Sequence, residues 1–149
     1  MKKIAIASII ALAATAASAM ELGVTATRDY SGDNRNFGGI TLGQSYGKLS
    51  ATAGFERSTV GGDAQNRWSL VGGYDLAKFG PVTVTPKVGV AHLDSQTAQD
   101  GYAMTVGVGA SMPVTKQVSV TVDFARQYGQ ERVQAFDGNR TTVGLKYKF

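Results

Sequence analysis

The chain of 149 residues is long enough for one domain, and because it has no cysteine it excludes a disulfide framework and a thiolate metal site. It carries 15 basic and 11 acidic residues, but the excess falls to two once Lys2 and Lys3 are removed with a predicted leader. This balance gives no case for nucleic-acid binding. A single histidine also disfavours a transition-metal site, and we predict no cofactor.

The first predicted element is a secretory signal peptide over residues 1–19. Lys2 and Lys3 form its basic start, residues 4–14 are an apolar run, and Ala17-Ser18-Ala19 matches the small-residue cleavage pattern. The run is too short for a membrane anchor, and no stop-transfer sequence follows it. Residues 20–149 are therefore the predicted mature domain.

Eight segments in which apolar residues alternate with small or polar ones follow in chain order. Each is close to the nine to eleven residues that a tilted membrane strand needs, and no helical period competes. Their apolar positions are Leu22, Val24 and Ala26; Ile40, Leu42 and Tyr46; Leu49, Ala51, Ala53 and Phe55; Trp68, Leu70, Tyr74 and Leu76; Val82, Val84, Val88 and Val90; Tyr102, Met104, Val106, Val108, Ala110 and Met112; Val118, Val120, Val122 and Phe124; and Val143, Leu145, Tyr147 and Phe149.

The connections between these segments alternate in length. Those at residues 46–48, 77–81 and 113–117 are tight, whereas those at 29–36, 58–66, 94–100 and 129–138 are longer and polar. This rhythm predicts an all-β fold, an eight-stranded antiparallel up-and-down transmembrane β-barrel with both termini on the side of the short turns.

The faces of the strands indicate which side meets lipid. The positions between the apolar ones are mostly Gly, Ala, Ser and Thr, which suit the narrow interior of an eight-stranded barrel and not a water-facing surface. Aromatic residues also gather near both ends of the strands, as in the two girdles of a membrane barrel. Phe37, Phe55, Trp68, Tyr102, Phe124 and Tyr128 are assigned to the long-loop girdle, and Tyr46, Tyr74, Tyr147 and Phe149 to the short-turn girdle.

With this signal peptide, hairpin rhythm and closing VGLKYKF, the chain resembles the small eight-stranded outer-membrane β-barrel family, of the OmpA/OmpX type and the opacity-like porin superfamily. The resemblance covers the whole chain. It implies that Val143, Leu145, Tyr147 and Phe149 form the signal read by the outer-membrane assembly machinery. TPKVGVA, residues 85–91, is similar to the proline-led fifth strand of such barrels, and Pro86 is expected near the periplasmic end or at a bulge.

Eight charged residues are predicted to face the interior because of their position in the alternation: Glu21, Glu56, Asp75, Lys87, Asp123, Arg140, Lys146 and Lys148. Four acids balance four bases, and charges in a narrow interior require partners. Asp123 and Lys146 are one expected pair. Two interpretations remain open, a packed plug that holds the barrel together and a gated pore.

Other charged residues are predicted to lie outside. Arg28, Arg57 and Arg126 face outward near the long loops, where they either contact lipopolysaccharide phosphates or are solvated. Each short turn carries one lysine, at Lys48, Lys78 and Lys116, which either meets anionic headgroups or is solvated.

His92 is the only histidine, and with Asp94 or Ser95 it could serve a lipid-modifying enzyme, but the stretch matches no catalytic motif. We therefore predict no catalytic, cofactor or metal residues. The leading hypothesis is a non-enzymatic integral outer-membrane protein with a structural or surface-interaction role. Its expected partners are outer-membrane lipid, lipopolysaccharide and the assembly machinery, with a surface ligand possible at the four long loops. A small-solute or ion pore is the alternative, and a lipid-modifying barrel enzyme ranks third.

Overall fold

The computed structural model describes residues 19–31, 34–60, 63–95, 100–130 and 137–149, and at residues 59, 60 and 63 it describes the backbone alone. The predicted signal peptide therefore lies outside the described residues, except for Ala19. The strands are β1 (Ala19–Asp29), β2 (Asn36–Tyr46), β3 (Leu49–Val60), β4 (Asp63–Tyr74), β5 (Ala77–Phe79), β6 (Val82–Ser95), β7 (Gly101–Pro113), β8 (Val118–Gly129) and β9 (Gly138–Lys148).

The strands form one closed antiparallel sheet. Each strand pairs with its neighbour in the chain, except that β4 pairs with β6 rather than β5, and β1 also pairs with β9. The short β5 continues the path of β4 beside β6, so the nine segments make eight barrel strands. Closure removes the free sheet edges that lipid cannot satisfy, and it confirms the predicted eight-stranded barrel.

The stagger of the barrel follows from the registers of its eight ladders. A path that leaves β1 at Ala19 and follows the paired residues around the sheet returns to β1 at Asp29, ten residues nearer the long loops. It passes Ser45, Ser50, Gly73, Lys87, Gly107, Ala125 and Arg140. A shear of this size tilts the strands and sets the height of each residue above the short turns.

One ladder is interrupted between β4 and β5. Gly73 pairs with Lys87 and Ala77 with Val84, so one extra residue lies on the β4–β5 side. Such a bulge bends the strand and breaks the ladder locally. Pro86, which cannot donate a backbone hydrogen bond, lies opposite this break near the short turns, which agrees with its expected place.

Two of the predicted connections were too long, whereas the bounds of the other five agree with the strand ends to within one or two residues. Gly80 and Pro81 alone connect β5 to β6, because residues 77–79 are a strand segment and not part of a turn. On the other side, β3 and β4 remain paired as far as Val60 and Asp63, well inside the predicted loop 58–66. The tips of the four long connections, residues 32–33, 61–62, 96–99 and 131–136, lie outside the described residues.

The alternation of side chains separates an apolar exterior from a polar interior. Outward residues of the middle of the barrel are largely exposed, and among them are Leu22, Val24, Ile40, Leu70, Val88, Val90, Val106, Val122, Val143 and Leu145. We call this outward band, between the short turns and the level of Arg28, the apolar belt. Most of the buried side chains are polar or charged, the reverse of a water-soluble domain. Within the described part of the chain, no helix is long and apolar enough to cross a membrane.

Candidate functional site

Four charged side chains meet inside the long-loop half of the barrel, and we call Asp29, Glu56, Arg67 and Arg140 the buried charge cluster. The Nη2 atom of Arg140 donates a hydrogen bond of 2.9 Å to Oε2 of Glu56, and its Nε atom lies 3.2 Å from Oδ2 of Asp29. The Nε atom of Arg67 lies 3.7 Å from the same Glu56 oxygen. All four are buried, with Arg140 only 5% exposed, and two carboxylates balance two guanidinium groups.

Neutral groups complete the surroundings of this cluster. Thr27 donates a short hydrogen bond to Glu56, Thr105 accepts one of 3.4 Å from Arg67, and the backbone amide of Ser31 donates one of 2.9 Å to Asp29. The Phe37 ring lies 5.5 Å from the Arg140 guanidinium carbon. Together these contacts join β1, β2, β3, β4, β7 and β9 across the interior.

The short-turn half of the interior is more open. Lys87 forms an ion pair with Asp123, Lys146 lies 3.2 Å from Glu21, and both pairs are about a quarter exposed. Between these pairs and the buried charge cluster lies a cavity of about 210 Å³. Exposure falls from 24% at the Lys87 side chain to 4% at the Arg67 side chain, so the short-turn half of the interior is more accessible than the buried charge cluster.

A third contact at the short-turn end involves the break in the sheet. Asp75 lies between β4 and β5, and it accepts a hydrogen bond of 2.7 Å from the hydroxyl of Thr85. Its carboxylate lines the cavity with the two ion pairs.

The predicted interior charges occupy the following places. Glu21, Glu56, Asp75, Lys87, Asp123, Arg140 and Lys146 all line the cavity. Lys148 also occupies an inward position in the alternation of β9, but it is exposed at the last residue of that strand and does not line the cavity. The expected pair of Asp123 and Lys146 was wrong. In the β8–β9 register Lys146 faces Ser119, four residues from Asp123, so each side chain finds a nearer partner.

Two members of the buried charge cluster were missed by sequence reasoning. Arg67 directly precedes the outward Trp68 on β4 and therefore occupies an inward position. The alternation of faces that identified the other interior charges would also have identified Arg67. Asp29 was assigned to a loop, because β1 was expected to end before it. The predicted girdle residue Phe37 is also corrected, since it is 4% exposed and points inward under Arg140.

The outward arginines lie near the long loops, as predicted, and all three are exposed. Arg28 lies 5.8 Å from the ring centre of Tyr30, and Arg126 lies 5.4 Å from that of Tyr128. At the other end Lys48, Lys78 and Lys116 are exposed in or beside the short connections.

His92 belongs to an outward aromatic row and not to a polar constellation. It pairs with Trp68 on one side and Tyr102 on the other, and its ring centre lies 4.9 Å from that of Tyr102. Asp94 is exposed two residues further along the same face, whereas Ser95 is buried on the inward face. Among the described residues no group of three or more histidine, aspartate or glutamate side chains could hold a metal ion.

A closed antiparallel ladder, an exposed apolar belt and a charged interior together define a transmembrane β-barrel of eight strands. Solved structures with this architecture include Neisserial surface protein A, NspA, with 14% identity over 90% of this chain and 98% of that one and a TM-score of 0.65. A major outer membrane protein from Thermus thermophilus has 15% identity over 87% and 99% of the two chains and a TM-score of 0.64.

A de novo designed transmembrane β-barrel has 14% identity over 88% of this chain and 95% of that one, with a TM-score of 0.59. No protein-family model matches the chain, and no curated protein matches it in sequence. The chain thus has the fold of the small eight-stranded outer-membrane barrels, which confirms the resemblance predicted from its sequence.

Proposed function

We propose that this protein is a non-enzymatic, integral outer-membrane barrel that supports the cell envelope and presents its long loops at the surface. The observation that carries the proposal is the pairing of an apolar exterior with an interior closed by buried ion pairs. It is supported by the barrels of similar fold, whose names describe outer membrane or surface proteins.

The exterior supports insertion in a membrane. Between the short turns and the level of Arg28, the outward positions of the described strands carry no charged residue. Large apolar side chains there are about half exposed, Leu145 and Val24 among them. In water such a continuous apolar surface would drive aggregation, whereas in lipid it matches the acyl chains.

The interior supports a closed barrel more than an open pore. The buried charge cluster and its neutral neighbours together join six of the eight barrel strands. The cluster is neutral in sum, so its groups stabilise one another instead of attracting a permeant ion. Separating its charges would leave a buried ion unpaired, at a cost of about 3–5 kcal/mol. We therefore propose a structural plug.

The outward face supports a non-enzymatic role. A nucleophile and its base must lie within hydrogen-bond reach, but Ser95 and His92 point to opposite faces of β6. The cross-strand partners of His92 are Trp68 and Tyr102, which are aromatic and cannot act as an orienting acid, and Asp94 lies exposed two residues further along the same face. Changing His92 to alanine should leave the lipid-A composition of the cell unchanged, and an altered lipid-A profile would establish the enzymatic alternative.

Partners follow from the same arrangement. The outward row of Val143, Leu145, Tyr147 and Phe149 on the closing strand is proposed as the signal for the outer-membrane assembly machinery. A surface ligand, if one is bound, would meet the long connections around residues 29–36, 58–66, 94–100 and 129–138.

Single-channel recording in a planar bilayer tests the closed interior. The purified protein is inserted, and a heat-shifted gel band reports that the inserted barrel is folded. Because the buried charge cluster closes the long-loop half, we expect no discrete current steps. Reproducible steps from a folded, inserted protein would instead establish the alternative function, a pore for ions or small solutes.

A further inference from the structure

Three outward arginines occupy corresponding places on alternate strands. Arg126 lies on β8, Arg28 on β1 and Arg57 on β3, and in the sheet order one strand separates each from the next. All three are exposed. We call these three residues the arginine arc.

The registers place the arginine arc at one height. The path of paired residues rises by ten residues over eight strands, or roughly 2.5 residues for every two strands. A residue two strands further along that has the same height therefore lies roughly 2.5 residues nearer the short turns than the residue that the path reaches. Arg126 pairs with Asn139 on β9, whose carbonyl oxygen accepts a hydrogen bond from the backbone amide of Tyr30. Arg28 lies two residues nearer the short turns than Tyr30.

The second interval repeats the first. From Arg28 the register leads to Asn36, and two residues below Asn36 lies Gly38, which faces Arg57. Both intervals therefore match the slope of constant height to within about half a residue. Adjacent strands are about 4.8 Å apart, so successive arginines stand on the order of 10 Å apart around one half of the barrel.

The arginine arc lies at the upper border of the apolar belt. Two residues nearer the short turns on the same three strands are Ala26, Phe55 and Phe124, which face outward and are apolar. This is the depth at which hydrocarbon gives way to headgroups, because charged residues on the outer face of a barrel are tolerated only near the interfaces.

The guanidinium groups are available to an external anion. The guanidinium carbons of Arg28 and Arg126 lie over the rings of Tyr30 and Tyr128, at 5.8 Å and 5.4 Å from the ring centres, and a cation–π contact does not use the hydrogen-bond donors of the guanidinium. Among the described residues, no carboxylate forms an ion pair with any member of the arc. The exposed Asp94, an outward acid, lies on β6 in the other half of the barrel.

We propose that the arginine arc binds the phosphate groups of a multiply phosphorylated glycolipid in the outer leaflet, the chemistry of lipopolysaccharide. Arginine presents a planar fork of donors that matches phosphate, and three forks at one depth fit several phosphates on one lipid surface. A single phosphate could engage only one member at these spacings. The inference rests on the proposed outer-membrane location.

Binding of fluorescent lipopolysaccharide by the full-length protein in detergent micelles tests the proposal. A variant with Arg28→Gln, Arg57→Gln and Arg126→Gln loses three charges at the rim. The matched control, with Lys48→Gln, Lys78→Gln and Lys116→Gln, loses three charges at the short turns.

Because three basic residues are removed from one lipid surface, the arginine variant should bind at least about tenfold more weakly. The lysine variant should bind lipopolysaccharide as tightly as the unchanged protein does. Dephosphorylated lipopolysaccharide should bind weakly to the unchanged protein. Its affinity should equal that of intact lipopolysaccharide for the arginine variant. Equal affinity of the arginine variant and the unchanged protein would overturn the proposal. Displacement by millimolar inorganic phosphate would overturn its assignment to a lipid.

The proposed function and this inference fail differently. A protein that gives no heat-shifted band after addition to vesicles would contradict membrane insertion itself. A variant that inserts normally and still binds lipopolysaccharide at full affinity would contradict only the role of the arginine arc.

Discussion

Arg140 on β9 donates a hydrogen bond of 2.9 Å to Glu56 on β3, although 84 positions separate the two residues in the chain. Two other strands, β1 and β2, lie between them in the sheet, so the contact crosses the interior of the barrel. Glu56 also faces Arg67 and accepts a hydrogen bond from Thr27. It is therefore the carboxylate through which both buried guanidinium groups are neutralised.

Removing the charge of Glu56 should destabilise the barrel strongly. In Glu56→Gln, Arg67 loses its carboxylate and Arg140 keeps only Asp29, which leaves excess positive charge in a buried site. We expect a loss of about 3 kcal/mol in the free energy of unfolding, measured by urea titration in lipid vesicles with the heat-shifted band as readout.

The matched control is Glu21→Gln, which breaks the partly exposed pair with Lys146 and should cost about 1 kcal/mol or less. Equal losses in the two variants would contradict the distinction between a buried and a solvated pair.

Two neighbouring glycines on β2 should respond in opposite ways to an added methyl group. A Cβ atom at Gly39 would lie 2.6 Å from the carbonyl oxygen of Phe55 and 2.7 Å from Cγ of Glu56, whereas one at Gly38 would meet nothing within 4 Å. Gly39→Ala should therefore lose about 1–3 kcal/mol of stability through overpacking.

Gly38→Ala, on the outward face, should change stability by no more than about 0.5 kcal/mol. The same urea titration compares the two variants. A larger loss at Gly38 than at Gly39 would show that the faces of β2 are assigned the wrong way round.

A charge in the middle of the apolar belt should oppose insertion. Val24 is 56% exposed on the outward face of β1, so its replacement by arginine would put a guanidinium among acyl chains. The expected loss is about 2–4 kcal/mol in the free energy of folding into vesicles. The control, Asn139→Arg, lies at the long-loop rim and should cost about 0–1 kcal/mol. Tolerance of arginine at both sites would contradict a lipid-facing belt.

The terminal aromatic residue should matter for assembly in cells more than for stability. The ring centre of Phe149 lies 5.0 Å from that of Tyr147, and the residue is 71% exposed. Its backbone amide donates a hydrogen bond to the carbonyl oxygen of Met20. Deleting it should lower the amount of folded protein in the outer membrane, measured by gel shift of isolated envelopes, while refolding of the purified protein into detergent changes little. Lys148→Ala serves as the control and should assemble normally. A normal yield from the deletion would remove this residue from the proposed assembly signal.

The alternation of residues along the strands was enough to predict much of the architecture. Leu22, Val24 and their counterparts faced outward as predicted, because a strand sends successive side chains to opposite faces whatever its neighbours are. The number of strands and the closure of the sheet followed from the same pattern. Parity also placed Glu56 and Arg140 on the inward face. Phe37 was wrongly assigned to the outward girdle because it is aromatic. The odd-numbered residues of β2 face the interior, so the alternation already predicted an inward Phe37.

The partners of the interior charges could not be predicted in this way. Asp123 and Lys146 lie on adjacent strands, but their register offset of four residues separates them by about 13 Å along the strands. That offset depends on where each hairpin begins, and the contact from β9 to β3 depends on the shear accumulated around the whole barrel. The sequence by itself therefore determined which residues face lipid and which face inward, because that choice is local. Only the tertiary structure decided that Arg140 meets Glu56, Lys87 meets Asp123 and the three arginines share one height, because those relationships depend on all eight registers together.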